Sequence, residues 1–440
     1  MSRLPDEQPH RQEQAPTAPL DKLRVSVANA IDEVGAAAWD ACANPRADAD
    51  LPPDPTGPQI GPSDCSIGQD ALLTHQVSDF NPFISHSFLS ALEASKSVSG
   101  RAGWQVQHLL VRTADGSLAA AAPCYLKSHS RGEYVFDYGW AEAYERAGGS
   151  YYPKLQVAVP FTPATGRRLL VRPGPRANDV RRVLSAGLAE LCRLDEASSV
   201  HVTFATEPEF RFLGDCGFLQ RTDQQFHWEN PGYASFDEFL AALAARKRKT
   251  IRREREEALA DGITVHRLTG SDLTESVWDA FFAFYMETGS RKWGRPYLTR
   301  PFFSLVGQTM RDRILLIMAK RNGRWIAGAI NFIGSDTLFG RHWGAVEHHP
   351  FLHFELCYYQ AIEYAIACKL ARVEAGAQGE HKIARGYMPT TTYSAHYIAD
   401  PALRRAIADY LLRERAYVAA AGAELAATGP YRKDLALEPK

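Results

Sequence analysis

The sequence predicts a mixed-sheet α/β protein built from two tandem copies of one unit, and three observations carry that reading. Two hairpin patterns, 106–112 with 118–127 and 314–320 with 325–333, flank Asp115-Gly116 and Asn322-Gly323, dipeptides that tolerate the positive φ of tight turns. The hairpins also match in sequence: Leu109-Leu-Val and Asp-Gly-Ser-Leu-Ala in the first answer Leu315-Leu-Ile and Asn-Gly-Arg-Trp-Ile-Ala in the second, at an offset near half the chain. Around each, the order strand, helix, hairpin, further strand, helix, strand repeats.

Taken in order, residues 1–20 are rich in Pro and Gln and read as a disordered tail. The first unit spans 21–235. It opens with a strand at 23–27 and a helix at 30–43 containing Trp39, then carries a loop insertion at 44–75 dense in Pro, Asp and Gly. Ser85 or Ser87 can cap the next helix, in which Phe88, Leu89 and Leu92 recur at helical spacing. After the hairpin comes a further strand ending at Gly139-Trp140, matched by Trp343-Gly344 in the second unit. A helix at 177–192, a strand at 199–204 and Gly217-Phe218 close the unit. Residues 236–260 read as a basic linking helix, 261–425 as the second unit and 426–440 as a tail. The second unit closes with a helix at 354–369, a strand at 372–375 and Gly386-Tyr387.

Composition narrows the function. The 440 residues are 45% hydrophobic and 23% charged, ordinary for a globular enzyme, and the net charge of −1 gives no global pull toward nucleic acid or anionic lipid. No apolar run approaches the length of a membrane span, and the first residues lack an apolar signal core. Seven cysteines without a C-x-x-C pair fit reduced thiols, so a cytoplasmic location is expected. No G-x-G-x-x-G follows a strand and no phosphate-loop lysine motif occurs, so those two nucleotide-binding devices are excluded. His342, Glu347, His348, His349, His353 and Glu355 lack H-E-x-x-H spacing, and adjacent histidines on a strand face opposite ways, so no metal site is expected.

Four stretches carry candidate chemistry. From Gln378 a loop at a strand end offers the amide of Gln378, the carboxylate of Glu380, the imidazole of His381, the ammonium of Lys382 and the guanidinium of Arg385, set between glycines and followed by Tyr387. Its bland alternative is a solvated turn with a helix-capping Glu. A basic run on one helix places Arg248, Arg252 and Arg255 on one face and Arg246, Lys249 and Arg253 on another, suited to phosphates or, equally, to a solvated face balanced by Glu254, Glu256 and Glu257. Asp137, Tyr151 and Lys154 sit among aromatic residues that suit a pocket wall and a packed corner alike. Glu355 and Tyr359 fall on neighbouring faces of the helix that follows Pro350, where Glu355 also has a plain helix-dipole explanation.

Asn81-Pro-Phe-Ile-Ser-His, Phe136-Asp-Tyr-Gly-Trp-Ala, Tyr151-Tyr-Pro-Lys-Leu, Val159-Pro-Phe-Thr-Pro, Gln225-Phe-His-Trp, Arg248-Lys-Thr-Ile-Arg-Arg-Glu-Arg, His353-Phe-Glu-Leu-Cys-Tyr-Tyr and Gly376-Ala-Gln-Gly-Glu-His-Lys-Ile-Ala-Arg-Gly-Tyr follow one another in this order. Together they resemble the FemAB-like branch of the GNAT acyltransferase superfamily over roughly residues 78–415. The resemblance implies two tandem GNAT-like domains and transfer of an aminoacyl group from aminoacyl-tRNA to an amine of a peptidoglycan precursor. In the Fem transferases a basic helix carries a pattern that Arg248-Lys-Thr-Ile-Arg252 resembles, and a late Lys before a Gly-aromatic pair, loosely resembled by Lys382 and Gly386-Tyr387, is tied to stabilising the intermediate. The glycine-bearing pyrophosphate loop of ordinary acetyltransferases is missing: the second unit has Glu347-His-His-Pro-Phe-Leu there and the first only Arg172-Pro-Gly-Pro-Arg176.

The expectation is therefore an N-acyltransferase without a tightly bound cofactor, using acyl-CoA or aminoacyl-tRNA as co-substrate and a small-molecule or nucleotide-linked acceptor. Glu380 or His381 would act as base, Lys382 or Arg385 would stabilise negative charge, Gln378 would orient substrate, and Arg248, Arg252 and Arg253 would contact phosphates. The alternatives are a conventional acetyl-CoA enzyme using Arg172–Arg176, and a non-catalytic module that recognises a cell-wall precursor or RNA.

Overall fold

The structure is a computed structural model that describes residues 23–45, 80–293, 296–376 and 379–432. The expected tail 1–20, nearly all of the insertion and Gln378 lie outside the described residues.

The first unit runs β1 (Arg24–Ala28), α1 (Ala36–Ala43), α2 (His86–Ala94), β2 (Trp104–Val106), β3 (His108–Arg112), β4 (Leu118–Ala122), β5 (Cys124–Lys127), α3 (Tyr138–Arg146), β6 (Lys154–Val157), β7 (Leu170–Val171), α4 (Ala177–Leu194), β8 (Ser199–Ala205), α5 (Glu207–Asp215) and β9 (Leu219–Glu229). Next come α6 (Phe236–Ala242) and α7 (Ala245–Ala258). The second unit continues with β10 (Thr264–Leu268), α8 (Glu275–Trp293), α9 (Arg300–Thr309), β11 (Ile314–Arg321), β12 (Arg324–Ile333) and β13 (Thr337–Ala345). It ends with α10 (Leu352–Phe354), a π-helical stretch Glu355–Tyr359, α11 (Gln360–Ala367), β14 (Arg372–Glu374), β15 (Met388–Ile398) and α12 (Pro401–Ala427).

The duplication is present in the strand pairing. β1 lies antiparallel to β3 as β10 does to β11, and each unit has one parallel pair, β6 with β8 and β13 with β14. The eleven-stranded sheet runs β10-β11-β12-β13-β14-β9-β15-β8-β6-β5-β2, beside a four-stranded sheet β1-β3-β4-β7. The last strand of each unit is exchanged: β9 pairs with β14, β15 pairs with β8, and the two pair with each other. The units therefore share one hydrogen-bonded sheet. Their cores also meet, where Phe83 and Phe88 of the first unit pack on Phe332 of the second with ring centroids 5.2 and 5.4 Å apart.

Local chemistry explains the elements. Ser85, not Ser87, caps α2 by accepting from the Phe88 amide, and the buried Trp39 indole donates to the Ile84 carbonyl at 2.9 Å. Asn322 and Gly323 both take positive φ (+50° and +76°), as a two-residue hairpin requires, whereas in the first hairpin only Gly116 does. Gly344 is forced by close approach: a Cβ there would stand 2.0 Å from the Phe284 carbonyl oxygen of α8.

Several expectations need correction. The first hairpin's long strands break at Gln107 and Pro123, which splits them between the two sheets; a proline cannot donate to the ladder. Gly139-Trp140 does not end a strand but lies in α3. The linking segment is two helices, because Leu243 turns extended (ψ 154°) and forms a bridge with Tyr431. Residues 426–432 are no loose tail, since α12 runs to Ala427 and the Tyr431 hydroxyl donates to the Gly386 carbonyl at 2.8 Å. Among the described residues no helix is long and apolar enough to cross a membrane.

Candidate active site

The turn singled out in the sequence follows β14 and folds as a short 3-10 helix, Glu380–Arg385. Glycines bracket it with φ of +118° at Gly379 and +93° at Gly386, conformations that L side chains rarely adopt. Opposite lies the π-helical stretch Glu355–Tyr359, a helical irregularity often found at functional sites, and α7 packs against both.

Lys382 is 2% exposed and donates to the Gly376 carbonyl at 2.9 Å. Burial pushes its pKa down to about 8, with Arg341 adding to the effect and Cys357 opposing it. His381 is exposed, and its Nε2 lies 2.9 Å from the Tyr358 hydroxyl. Glu380 is exposed. Tyr387 is fully buried with no hydrogen-bond partner for its hydroxyl.

Arg385 is held from two sides. Its Nη2 reaches both Glu254 oxygens at 2.8 and 2.9 Å, and its guanidinium lies 3.4 Å from the centroid of the Phe354 ring. The Tyr359 hydroxyl also donates to Glu254. Glu355, wholly buried, accepts from Arg255 at 3.0 and 2.9 Å and from Gln360 at 2.7 Å. Glu355 and Tyr359 therefore anchor α7 beside the turn. Glu254, which in the sequence reads as mere charge balance, is the hub between helix, π-helical stretch and turn; nothing in the run of acidic and basic residues distinguishes it from Glu256 or Glu257.

Between α7 and the turn lies a cleft of about 320 Å³ lined by Arg246, Lys247, Thr250, Ile251, Glu254, Ala384 and Arg385. The phosphate candidates Arg248, Arg252 and Arg253 do not line it. Arg252 pairs with Asp237 at 3.5 Å, and an Arg248 amine lies 3.5 Å from the Ala241 carbonyl. Helical periodicity accounts for this: positions 247, 250, 251 and 254 face the turn with Arg246 beside them, so Arg248, Arg252 and Arg253 are turned away.

Asp137, Tyr151 and Lys154 do come together, but inside the first unit. All three are 2% exposed or less. The Lys154 ammonium meets Asp137, Glu133 at 2.7 Å and Ser130 at 2.8 Å, while the Tyr151 hydroxyl donates to Asp137 at 2.7 Å. Burial works against the Lys154 charge, yet Glu133 and Asp137 outweigh it and hold the pKa above the ordinary lysine range; Glu133 is itself pushed up to about 7 by burial, against the pull of Lys154. His201 lies 3.9 Å from Asp137 and reaches His396 of β15 at 2.7 Å, so the cluster is tied to the exchanged strand. The three side chains are enclosed in the interior of the first unit.

One further group escaped the sequence reading. Glu374, the last residue of β14, is 5% exposed, and its Oε2 has no hydrogen-bond partner. Burial pushes its pKa up to about 8, against the lowering effects of Arg372, the Thr165 amide and Arg341. His227 of β9 faces it at 4.0 Å. Among the described residues no group of three or more His, Cys, Asp or Glu could hold a metal ion.

The doubled unit carries one parallel strand pair in each copy and the polar turn after β14 in the second. The chain belongs to the FemAB-like family, described as peptidoglycan biosynthesis/recognition, whose signature matches residues 30–433. Among solved structures it is similar to FemX (12% identity over 72% of this chain and 93% of that one, TM-score 0.46). It is also similar to a tandem GNAT protein of the clavulanic acid biosynthesis pathway (15% identity, 86% and 99%, TM-score 0.42). A third is L-PGS from Bacillus licheniformis (9% identity, 76% and 98%, TM-score 0.44). No curated protein matches the sequence.

Proposed function

We propose that the protein transfers an acyl or aminoacyl group from an activated donor to an amine, and that the reaction is organised by the Glu380–Arg385 turn. The observation that carries this reading is Lys382. It is a buried lysine with a depressed pKa, fixed to a backbone carbonyl on a turn that also walls a basic cleft. Attack of an amine on an acyl carbon puts negative charge on the carbonyl oxygen, and a preoriented ammonium in a dry site stabilises that charge far better than water does. The Lys382 ammonium has donors left after its bond to Gly376. The cleft is wide enough for an anionic group such as a phosphate of a nucleotide-linked substrate or of a tRNA, with Arg246 and Lys247 supplying charge and Arg385 held rigid by Glu254. The peptidoglycan link of the family favours an acceptor drawn from cell-wall precursors.

The test compares thermal shifts with acetyl-CoA, a nucleotide-linked peptidoglycan precursor and charged tRNA, then measures transfer with whichever donor and acceptor bind. A ligand at a hundred times its Kd adds about 2.7 kcal/mol of stability, which is readily seen. Lys382→Met is expected to cut kcat at least tenfold with the fold intact. Wild-type turnover in Lys382→Met, His381→Gln and Glu380→Gln alike removes the turn from the chemistry.

A further inference from the structure

The two carboxyl and imidazole candidates on the turn, Glu380 and His381, are exposed to water. Proton transfer in a closed site calls for a group at the junction itself, and the junction holds one. Glu374 ends β14 between Phe339 of β13 and His227 of β9, so its carboxyl sits where the parallel pair of the second unit stops. Its surroundings come from both units. The Thr165 amide of the first unit donates to it, Gln225 donates to the Pro163 carbonyl at 2.8 Å and accepts from or faces His227 at 3.2 Å, and Arg341 donates to the Phe161 carbonyl at 2.5 Å. These contacts leave Glu374 Oε2 buried without a hydrogen-bond partner, with His227 Nε2 4.0 Å away. A buried carboxyl oxygen with an open lone pair is costly unless something uses it. Two residues further on, Gly376 anchors Lys382, which ties the carboxyl to the proposed oxyanion donor.

We propose that Glu374 is the proton acceptor of the reaction: a primary amine docks against Oε2 and gives up its proton there as it attacks the acyl carbon. The inference rests on the acyl-transfer reading above and names the acceptor side of that site. As the new C–N bond forms, the nitrogen's proton passes to the Glu374 carboxylate. When the bond from the acyl carbon to the donor's sulfur or oxygen breaks with its electron pair, the same proton goes to that leaving atom, and Glu374 ends as it began. The charged and titratable groups facing Glu374 suit this. Arg341 and Arg372 disfavour a second ammonium and so favour the neutral, nucleophilic amine, His227 is kept neutral by burial and by Arg372 and Lys382, and Asp336 acts in the opposite sense. A carboxyl with its pKa raised toward neutrality is also matched to proton exchange with an amine.

The experiment uses the full chain with carbon-13-labelled glutamate carboxyls and propylamine as the probe. The expected result is one carboxyl resonance that titrates several pH units above ordinary glutamate, vanishes in Glu374→Gln, and shifts its midpoint downward as propylamine is added. A Glu374 resonance that does not respond to propylamine overturns the proposal, because the carboxyl is then sealed from amines. Absence of any such high-titrating resonance overturns it as well. With a donor that turns over, Glu374→Gln should lower kcat at least a hundredfold, leave KM within about threefold, and abolish the limb of the pH–rate profile at the Glu374 midpoint. If no donor is turned over yet propylamine still moves the resonance, the acyl-transfer reading fails while the amine contact stands.

Discussion

Replacing Lys154 by methionine keeps the length of the side chain and deletes the cation that Glu133 and Asp137 share. Lys154 is fully buried, and both carboxylates are within 2% of full burial, so solvent does not screen the loss. Removing one partner of a buried ion pair typically costs about 3–5 kcal/mol because the remaining charge is left uncompensated. With an unfolding entropy of about 2.1 cal/mol/K per residue, a 440-residue chain that unfolds as one unit should lose roughly 3–5 °C in Tm. Scanning calorimetry at neutral pH measures this directly. The triple change Lys154→Met, Glu133→Gln, Asp137→Asn removes the stranded charges together and should recover most of the loss. A drop below about 1 kcal/mol would refute the reasoning. So would unchanged stability combined with loss of ligand response, which would put the cluster in contact with substrate instead of in the packed interior.

Gly344→Ala drives a methyl against the α8 backbone, where it has no flexible side chain to push aside, so a loss at or above the upper end of the usual 1–3 kcal/mol (order of magnitude) for overpacking is expected in the same calorimetric assay. Glu254→Ala strands Arg385 beside Phe354 and unties Tyr359 from α7; any ligand that protects the native protein through the cleft should lose at least tenfold in affinity by titration calorimetry, and unchanged affinity argues against the cleft. Glu374 gives a signed pH dependence. Its folded pKa, about 8, is raised above the unfolded value near 4.3, so its contribution is fully present at low pH and is lost as pH rises toward 8. Wild type should therefore lose stability relative to Glu374→Gln by about 1.4 kcal/mol per pH unit at most across that window. A difference in Tm between the two that stays constant from pH 5 to 8 contradicts the buried, protonated carboxyl.

What the sequence disclosed was local. Asn322-Gly323 announced a hairpin because two adjacent residues must adopt positive φ, and the glycine-punctuated polar stretch announced a tight turn after a strand for the same kind of reason. The exchange of β9 and β15 left no trace, since a strand's own pattern does not say which neighbour it pairs with. Burial was equally hidden. Glu380 and Lys382 stand two residues apart in one polar run, yet one is exposed and the other enclosed. Phe136 to Lys154 showed aromatic residues with one Asp and one Lys, a composition that a pocket wall and a closed corner share. Glu254 and Glu374 could be recognised only once helix packing and strand ends were placed, because each is one carboxylate among several in its segment.

The asymmetry of the two units argues for where the chemistry lies. In the first, the space beyond the parallel pair of β6 and β8 is filled by the chain itself. Arg168, 1% exposed, donates to the Thr203 carbonyl at 2.9 Å and to the Ala164 carbonyl at 2.7 Å, and Gln156 donates to Thr203 at 2.8 Å. Glu209 accepts from the amides of Arg168 and Leu169 at 2.8–3.0 Å, so Arg168 and Glu209 are tied to the chain itself, while Gln156 Oε1 stays without a partner. In the second unit the matching position holds Gly340, Glu374 with an unpartnered oxygen, and Lys382 with donors to spare. A duplicated unit has two copies of every strand end but needs only one reactive centre. The first copy lends Phe161, Pro163 and Thr165 to the junction, while the second carries the Glu374 carboxyl and the Lys382 ammonium on which the proposed transfer rests.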